Sequence, residues 1–193
     1  YTPDEALSNA EGMYSALTAC ERNMRHEFFG DGSPIITEMV QSEIAVDGTT
    51  DKAGPQMDMD LALMPTANMD SENTTKVAWY WNEGYKGIKN ANLIIARIDN
   101  AQFKDEAERN AVLGAAYFQR AYRYFKLVHQ FGDVPFLDWE INEPKHDFYS
   151  YDRWSILERL KKDLEFAYQW VPAKVDRGRT SKAACGVLLM KVA

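Results

Sequence analysis

Val77-Ala-Trp79-Tyr80-Trp81-Asn-Glu-Gly-Tyr85-Lys-Gly-Ile88-Lys-Asn-Ala91-Asn92-Leu-Ile-Ile95 is the stretch that decides the fold. Val77, Trp81, Tyr85, Ile88, Asn92 and Ile95 fall within about 40° of one line at 100° per residue, so the stretch reads as an amphipathic helix. The helix after it runs from about Lys104 to Phe131. Its stripe of Ala107, Ala111, Gly114, Phe118, Ala121, Phe125 and Val128 alternates steps of four and three, and Gly132 and Pro135 stop it. Small residues on that stripe let backbones approach, so the helices should pair there.

Working outward, Thr2-Pro3-Asp4-Glu5 is a capping box with proline in the first turn, opening a helix that runs to Cys20 or beyond with Met13, Tyr14 and Leu17 on its inner face. Ser33-Pro34 starts a short helix carrying Ile36, Met39, Val40 and Ile44. From Asp47 to Thr75 no period is sustained and Gly and Pro recur, which reads as a long loop; such loops are commonly functional. After a second loop rich in Pro, Asp and aromatics, Leu157, Leu160, Leu164, Ala167 and Val171 mark a fifth helix, and Thr180 or Ser181 caps a sixth. The expected fold is all-α: stacked antiparallel helix pairs resembling tetratricopeptide repeats, with long loops and no clean repeat of 34 residues. The sixth helix reaches Ala193 still apolar and without a terminator, so residues 1–193 are expected to be one part of a larger domain, truncated at the C-terminal end.

Composition narrows the function. A net charge of −7 with no basic cluster argues against a nucleic-acid partner. Cys20 and Cys185 have neither a disulfide framework nor metal spacing around them, and read as buried free thiols with a single bridge left open. The sequence lacks the Gly-x-Ser-x-Gly, His-Glu-x-x-His and phosphate-loop signatures, and His26, His129 and His146 lie on separate segments. Asp58, Asp60 and Asp70 lack the spacing of a calcium loop. Neither an enzyme, a cofactor nor a metal site is expected. Asn73-Thr-Thr75 is formally a glycosylation acceptor. Ten Tyr, nine Phe and five Trp exceed what a core of this size needs, and rings with a polar edge suit wet binding surfaces.

Two stretches carry a family resemblance. Trp81 through Asn92 resembles the W-x3-Y-x2-I-x2-A-N helix of the SusD/RagB family of outer-membrane nutrient-binding lipoproteins. Phe118-Gln-Arg120-Ala121 through Phe131-Gly132-Asp133-Val134-Pro135-Phe136 resembles that family's F-L-R-A and F-G-D-V-P-L segments. Gly178-Arg179-Thr180 and Lys182-Ala-Ala184 match more loosely. Ala115 stands where the family often has Glu, and Gln119 replaces the usual Leu, which puts a local ion pair in doubt.

The resemblance implies a tetratricopeptide-like scaffold, lipid-anchored at the cell surface on the outer membrane through a residue upstream of this sequence. It captures an oligosaccharide, polysaccharide or other nutrient and passes it to a TonB-dependent transporter. The chain is thereby expected to be the N-terminal helical part of a SusD-like domain. A helical-repeat scaffold that binds only protein is the alternative, because Trp and Tyr at a protein hot spot would look the same. Trp81, Tyr85, Arg120, Phe131 and Pro135 are expected to build the scaffold, Arg120 with a buried carboxylate or carbonyl partner. Trp79 lies about 160° from Trp81 on the helical projection and shares its face with Glu83, Lys86 and Asn90. The expected ligand contact is therefore a platform of Trp79 and Tyr80, with Asn68 and Asp70 taking hydroxyls; burial of Trp79 beneath the Met-bearing loop is the competing reading.

Overall fold

The computed structural model describes residues 3–29, 76–141 and 143–193, with side chains beginning at Asp4 in the first segment and Trp79 in the second. The expected helix at 34–44, the 47–75 loop with Asn68 and Asp70, and the Asn73 acceptor lie outside the described residues. The chain forms two compact units, Tyr1–Arg22 with Tyr85–Ala193, and Asn23–Gly84. The described elements are α1 (Pro3–Ala6), α2 (Ala10–Phe28), α3 (Lys76–Arg97) running into a 3-10 turn at Ile98–Asn100, α4 (Glu106–Phe131), α5 (Arg153–Trp170) and α6 (Lys182–Val192). Two short strands, β1 (Val134–Pro135) and β2 (Ser150–Tyr151), pair antiparallel with Val134 opposite Tyr151. The fold is helical, as the periodicity predicts.

The cap at the start of α4 is reciprocal. Asp105 Oδ1 accepts from Glu108 N at 2.8 Å, satisfying an orphan donor of the first turn, while the Glu108 carboxylate reaches back to accept from Lys104 N, just before the cap, at 2.8 Å. At the other end Gly132, with φ +74°, donates its N–H to Val128 O and stops the helix where the sequence predicts. Asp152 caps α5 by accepting from Ser155 N, and Ser181, not Thr180, caps α6 by accepting from Ala184 N.

Helices α4 and α5 run antiparallel: Gly114 faces Ala167, Tyr117 meets Phe166, and Arg120 pairs with Asp163, the partner number falling as the first number rises. The expected small-residue contact is present, because a Cβ at Gly114 would stand 3.1 Å from both Ala167 Cα and Val171 Cγ2. Leu160, Leu164 and Ala167 are completely buried beneath it. Full burial of each leucine stabilises the fold by roughly 1.5–3 kcal/mol. Helix α6 then folds back along α5, with Gly186 against Tyr168 and Lys182 N donating to Pro172 O.

Two expectations are corrected. The opening helix is not continuous: α1 ends at Ala6, and α2 restarts at Ala10 with Asn9 accepting from Gly12 N. Gln102 forces the break, since its carbonyl accepts from Ala10 N and its N–H donates to Ser8 O in a parallel bridge that no helical Ser8 could make. The buried face of α3 is also turned roughly 70° from the predicted stripe at 100° per residue. It consists of Tyr80, Gly84, Gly87, Ile88, Ala91, Asn92, Ile94 and Ile98, so Ile88 and Asn92 of the predicted stripe are buried, whereas Trp81 is 38% exposed and Tyr85 half-buried. Close approach, not side-chain size, chose the face. A Cβ on Gly87 would lie 2.9 Å from Arg123 Nε and 3.1 Å from its Cγ, so the Arg123 stem occupies the space a larger residue would need. Cys20 and Cys185 are free and buried, which closes the question of a bridge between them.

Candidate functional site

Arg120 is the centre of a buried polar cluster that joins α3, α4 and α5. It is 1% exposed, and its guanidinium donates to Asp163 Oδ2 from Nη2 at 2.6 Å and from Nε at 3.2 Å, to Asn92 Oδ1 at 3.1 Å and to Asp138 O at 3.3 Å. Its face lies 5.2 Å from the Tyr117 ring centroid. The expected buried carboxylate is Asp163, from α5, itself 5% exposed. A buried cation with these donors spent is satisfied; the same cation alone would be costly.

The segment after α4 is pinned to α3 by side-chain-to-backbone bonds. Tyr85 Oη donates to Pro135 O at 2.8 Å, and Asn92 Nδ2 donates to Leu137 O at 2.8 Å and Trp139 O at 3.0 Å. Leu137 N donates to Tyr124 Oη at 2.5 Å, and Arg97 bridges Glu140 and Asp4. Burial raises the Tyr85 and Tyr124 hydroxyls well above the ordinary phenol range, so both stay neutral donors and acceptors. Tyr85, Asn92 and Pro135 of the motif therefore hold a loop that has no regular hydrogen bonds of its own.

That loop, noted in the sequence as rich in aromatics, and the start of α5 carry rings exposed to solvent. Trp139 is 46% exposed, Tyr149 79%, Tyr151 53% and Trp154 66%, with Phe148 beside them at 37%. Lys145 Nζ lies 5.8 Å from the Trp139 centroid and 5.9 Å from that of Phe148, and the Arg153 guanidinium is 5.6 Å from Trp154. The only signal in the sequence was compositional, five rings between residues 139 and 154.

Of the predicted contacts, Trp79 is half-buried and Tyr80 only 3% exposed. Their rings meet edge to face at 5.2 Å and 89°, so they do not form one flat surface. Glu83 and Asn90 on the Trp79 face are half-buried and Lys86 is exposed. Asn68 and Asp70 lie outside the described residues.

A cavity of about 260 Å³ opens beside Ala115, with Tyr14, Glu21, Val171, Arg179 and Thr180 among its lining. Gln119 Nε2 donates to Thr180 Oγ1 at 3.1 Å, Thr180 Oγ1 to Glu21 Oε1 at 3.3 Å, and Thr180 N to the same oxygen at 2.8 Å. The carboxylate comes from α2, not from position 115. Burial raises the Glu21 carboxyl above its ordinary 4.5, against the opposing pull of the Thr180 donors and the Arg179 charge. Arg179 donates to Tyr14 O and lies 5.1 Å from that ring's centroid. Among the described residues no group of three His, Cys, Asp or Glu side chains gathers as metal ligands, and no helix is long and apolar enough to cross a membrane.

Antiparallel helix pairs, and a loop pinned to them by polar side chains, define a helical scaffold of the tetratricopeptide-like kind. The chain belongs to the SusD-like family, described as starch-binding and associating with the outer membrane, which matches residues 27–192. It is 24% identical over 201 residues to SusD-like protein P2 of Formosa agariphila, covering 98% of this chain and 37% of that protein. Among solved structures, a laminarin-binding SusD-like protein superposes with a TM-score of 0.78 at 25% identity over 96% of this chain and 40% of its own. A SusD superfamily protein from Bacteroides thetaiotaomicron superposes with a TM-score of 0.73 at 21% identity over 95% of this chain, sharing the fold. The chain thus spans well under half the length of these relatives.

Proposed function

We propose that this chain is the N-terminal helical part of a non-catalytic surface protein that captures an oligosaccharide or related nutrient and passes it to a TonB-dependent transporter. The observation that carries this is the family match over residues 27–192, joined by the similarity to a laminarin-binding protein along nearly the whole chain. An outer-membrane address, with a lipid anchor upstream of Tyr1, follows from the same family reading. Trp79 is the proposed contact on this part of the protein, with Tyr80 buttressing its edge and Asn68 and Asp70 offering hydroxyl partners. The test is retardation of the chain in native gels containing laminarin, xyloglucan or starch, repeated with Trp79→Ala. Retardation by at least one glycan, weakened in Trp79→Ala with an unchanged melting temperature, supports the site. A chain that no glycan retards, yet that co-purifies with its transporter, belongs to the protein-only alternative.

A further inference from the structure

The exposed rings between residues 139 and 154 stand outside the core, and their neighbours say what they suit. Between Trp139 and Trp154 the sequence holds five rings, one aliphatic side chain (Ile141) and Pro144; most of the remainder is charged or hydrogen-bonding. The core of a protein–protein interface is depleted of charge, so this mixture is poorly matched to a dry protein partner. A carbohydrate asks for the opposite combination: flat electron-rich faces for its C–H groups, and donors and acceptors at their edges for its hydroxyls. Lys145 over Trp139 and Phe148, and Arg153 over Trp154, show that the negative ring faces attract electron-poor groups at the surface. Such exposed cation–π contacts are weak, and the C–H face of a pyranose can replace them.

The base under the rings is fixed in advance. β1 pairs with β2 so that Tyr151 stands opposite Val134, Phe136 meets Tyr151 at 6.4 Å, and Arg153 N donates to Asp133 Oδ1 at 3.1 Å. Asp152 caps α5 immediately before Trp154. Tyr149 and Tyr151 flank Ser150 at the β2 strand, and both are more than half exposed. Preorganisation of this kind lowers the ordering cost of binding. The charges select the ligand class, because, with Glu140 paired to Arg97, Glu143, Asp147 and Asp152 still outnumber Lys145 and Arg153 and would repel an acidic polymer.

Resting on the glycan-capture reading above, we infer that Tyr149, Tyr151 and Trp154, with Trp139 and Phe148 beside them, form a second stacking surface for an uncharged polysaccharide. The experiment uses the 193-residue chain in native gels containing laminarin, with polygalacturonate as the acidic comparison, for wild type, Trp79→Ala and the double variant Tyr149→Ala/Trp154→Ala. The expected result is laminarin binding weakened about tenfold or more in the double variant, without loss of melting temperature, and negligible retardation by polygalacturonate. Laminarin binding that is lost in Trp79→Ala but intact in the double variant overturns the inference and leaves the glycan reading standing. Absence of laminarin binding in the wild type overturns the inference, while retardation by xyloglucan or starch would still uphold the broader reading. Preference for polygalacturonate overturns the uncharged class. A concentration-dependent dimer in sedimentation, broken by the double variant, would assign the rings to a second copy instead.

Discussion

Asp163→Ala isolates the step on which the scaffold depends. It removes the carboxylate that takes two of the four hydrogen bonds made by Arg120 and leaves a guanidinium that is 1% exposed without a counter-charge. Removing one partner of a buried pair costs about 3–5 kcal/mol. For a chain of this size each kcal/mol shifts the melting temperature by about 2–4 °C, so a fall of roughly 6–20 °C is expected. Circular dichroism melts and urea unfolding measure it, the urea midpoint falling with little change in slope. Arg120→Met/Asp163→Leu removes both charges and should recover part of the loss. Recovery is incomplete because Asn92 Oδ1 and Asp138 O lose the donor they share, at about 1–3 kcal/mol for each buried acceptor left unmet. A cost below about 1 kcal/mol for Asp163→Ala, or a double variant worse than the single ones combined, would refute the reasoning.

Two further outcomes follow from the buried titratable groups. The Glu21 carboxyl is raised above 4.5 chiefly by burial, so from pH 4.5 up to its folded value the folded chain holds more protons than the unfolded one and stability falls as pH rises. Glu21→Gln keeps the acceptor for Thr180 N, and should flatten that decline and be no less stable at pH 7; an unchanged slope in pH-dependent melts counts against it. Burial pushes the Cys20 and Cys185 thiols up to about 12, so at pH 8 a disulfide reagent should label neither in the folded chain within the time that it labels both in guanidinium. Rapid stoichiometric labelling of the folded chain would show that these helices open far more readily than their packing implies.

Periodicity carried most of the fold, and its failures have physical causes. Helix α4 was legible to within two residues at its start because an acidic cap, a small-residue stripe and a glycine stop all agree on one element. Helix α3 was legible as a helix but not in its orientation. A stripe counted by large side chains pointed at Trp81, while the face that packs is the one where Gly87 admits Arg123. Trp81→Ala should therefore cost less than the roughly 3–5 kcal/mol of a fully buried Trp. The Gln102 bridge that splits α1 from α2 is a contact between segments some ninety residues apart, and nothing local announces it. The exposure of the rings after β1 was not legible because a loop has no period against which an outward side chain can be recognised.

Positions 115 and 119 show how a motif departure is absorbed by the fold. Ala115 lacks the carboxylate that the family resemblance leads one to expect. In the structure Glu21 of α2 lines the same cavity, and Gln119, the second departure, joins it through Thr180. Gln119, Thr180 and the remote glutamate therefore act as one polar unit, while the space beside Ala115 persists as a cavity of about 260 Å³. A carboxylate placed back at 115 would enter that space next to Glu21, and like charges at close range in a half-buried site oppose one another.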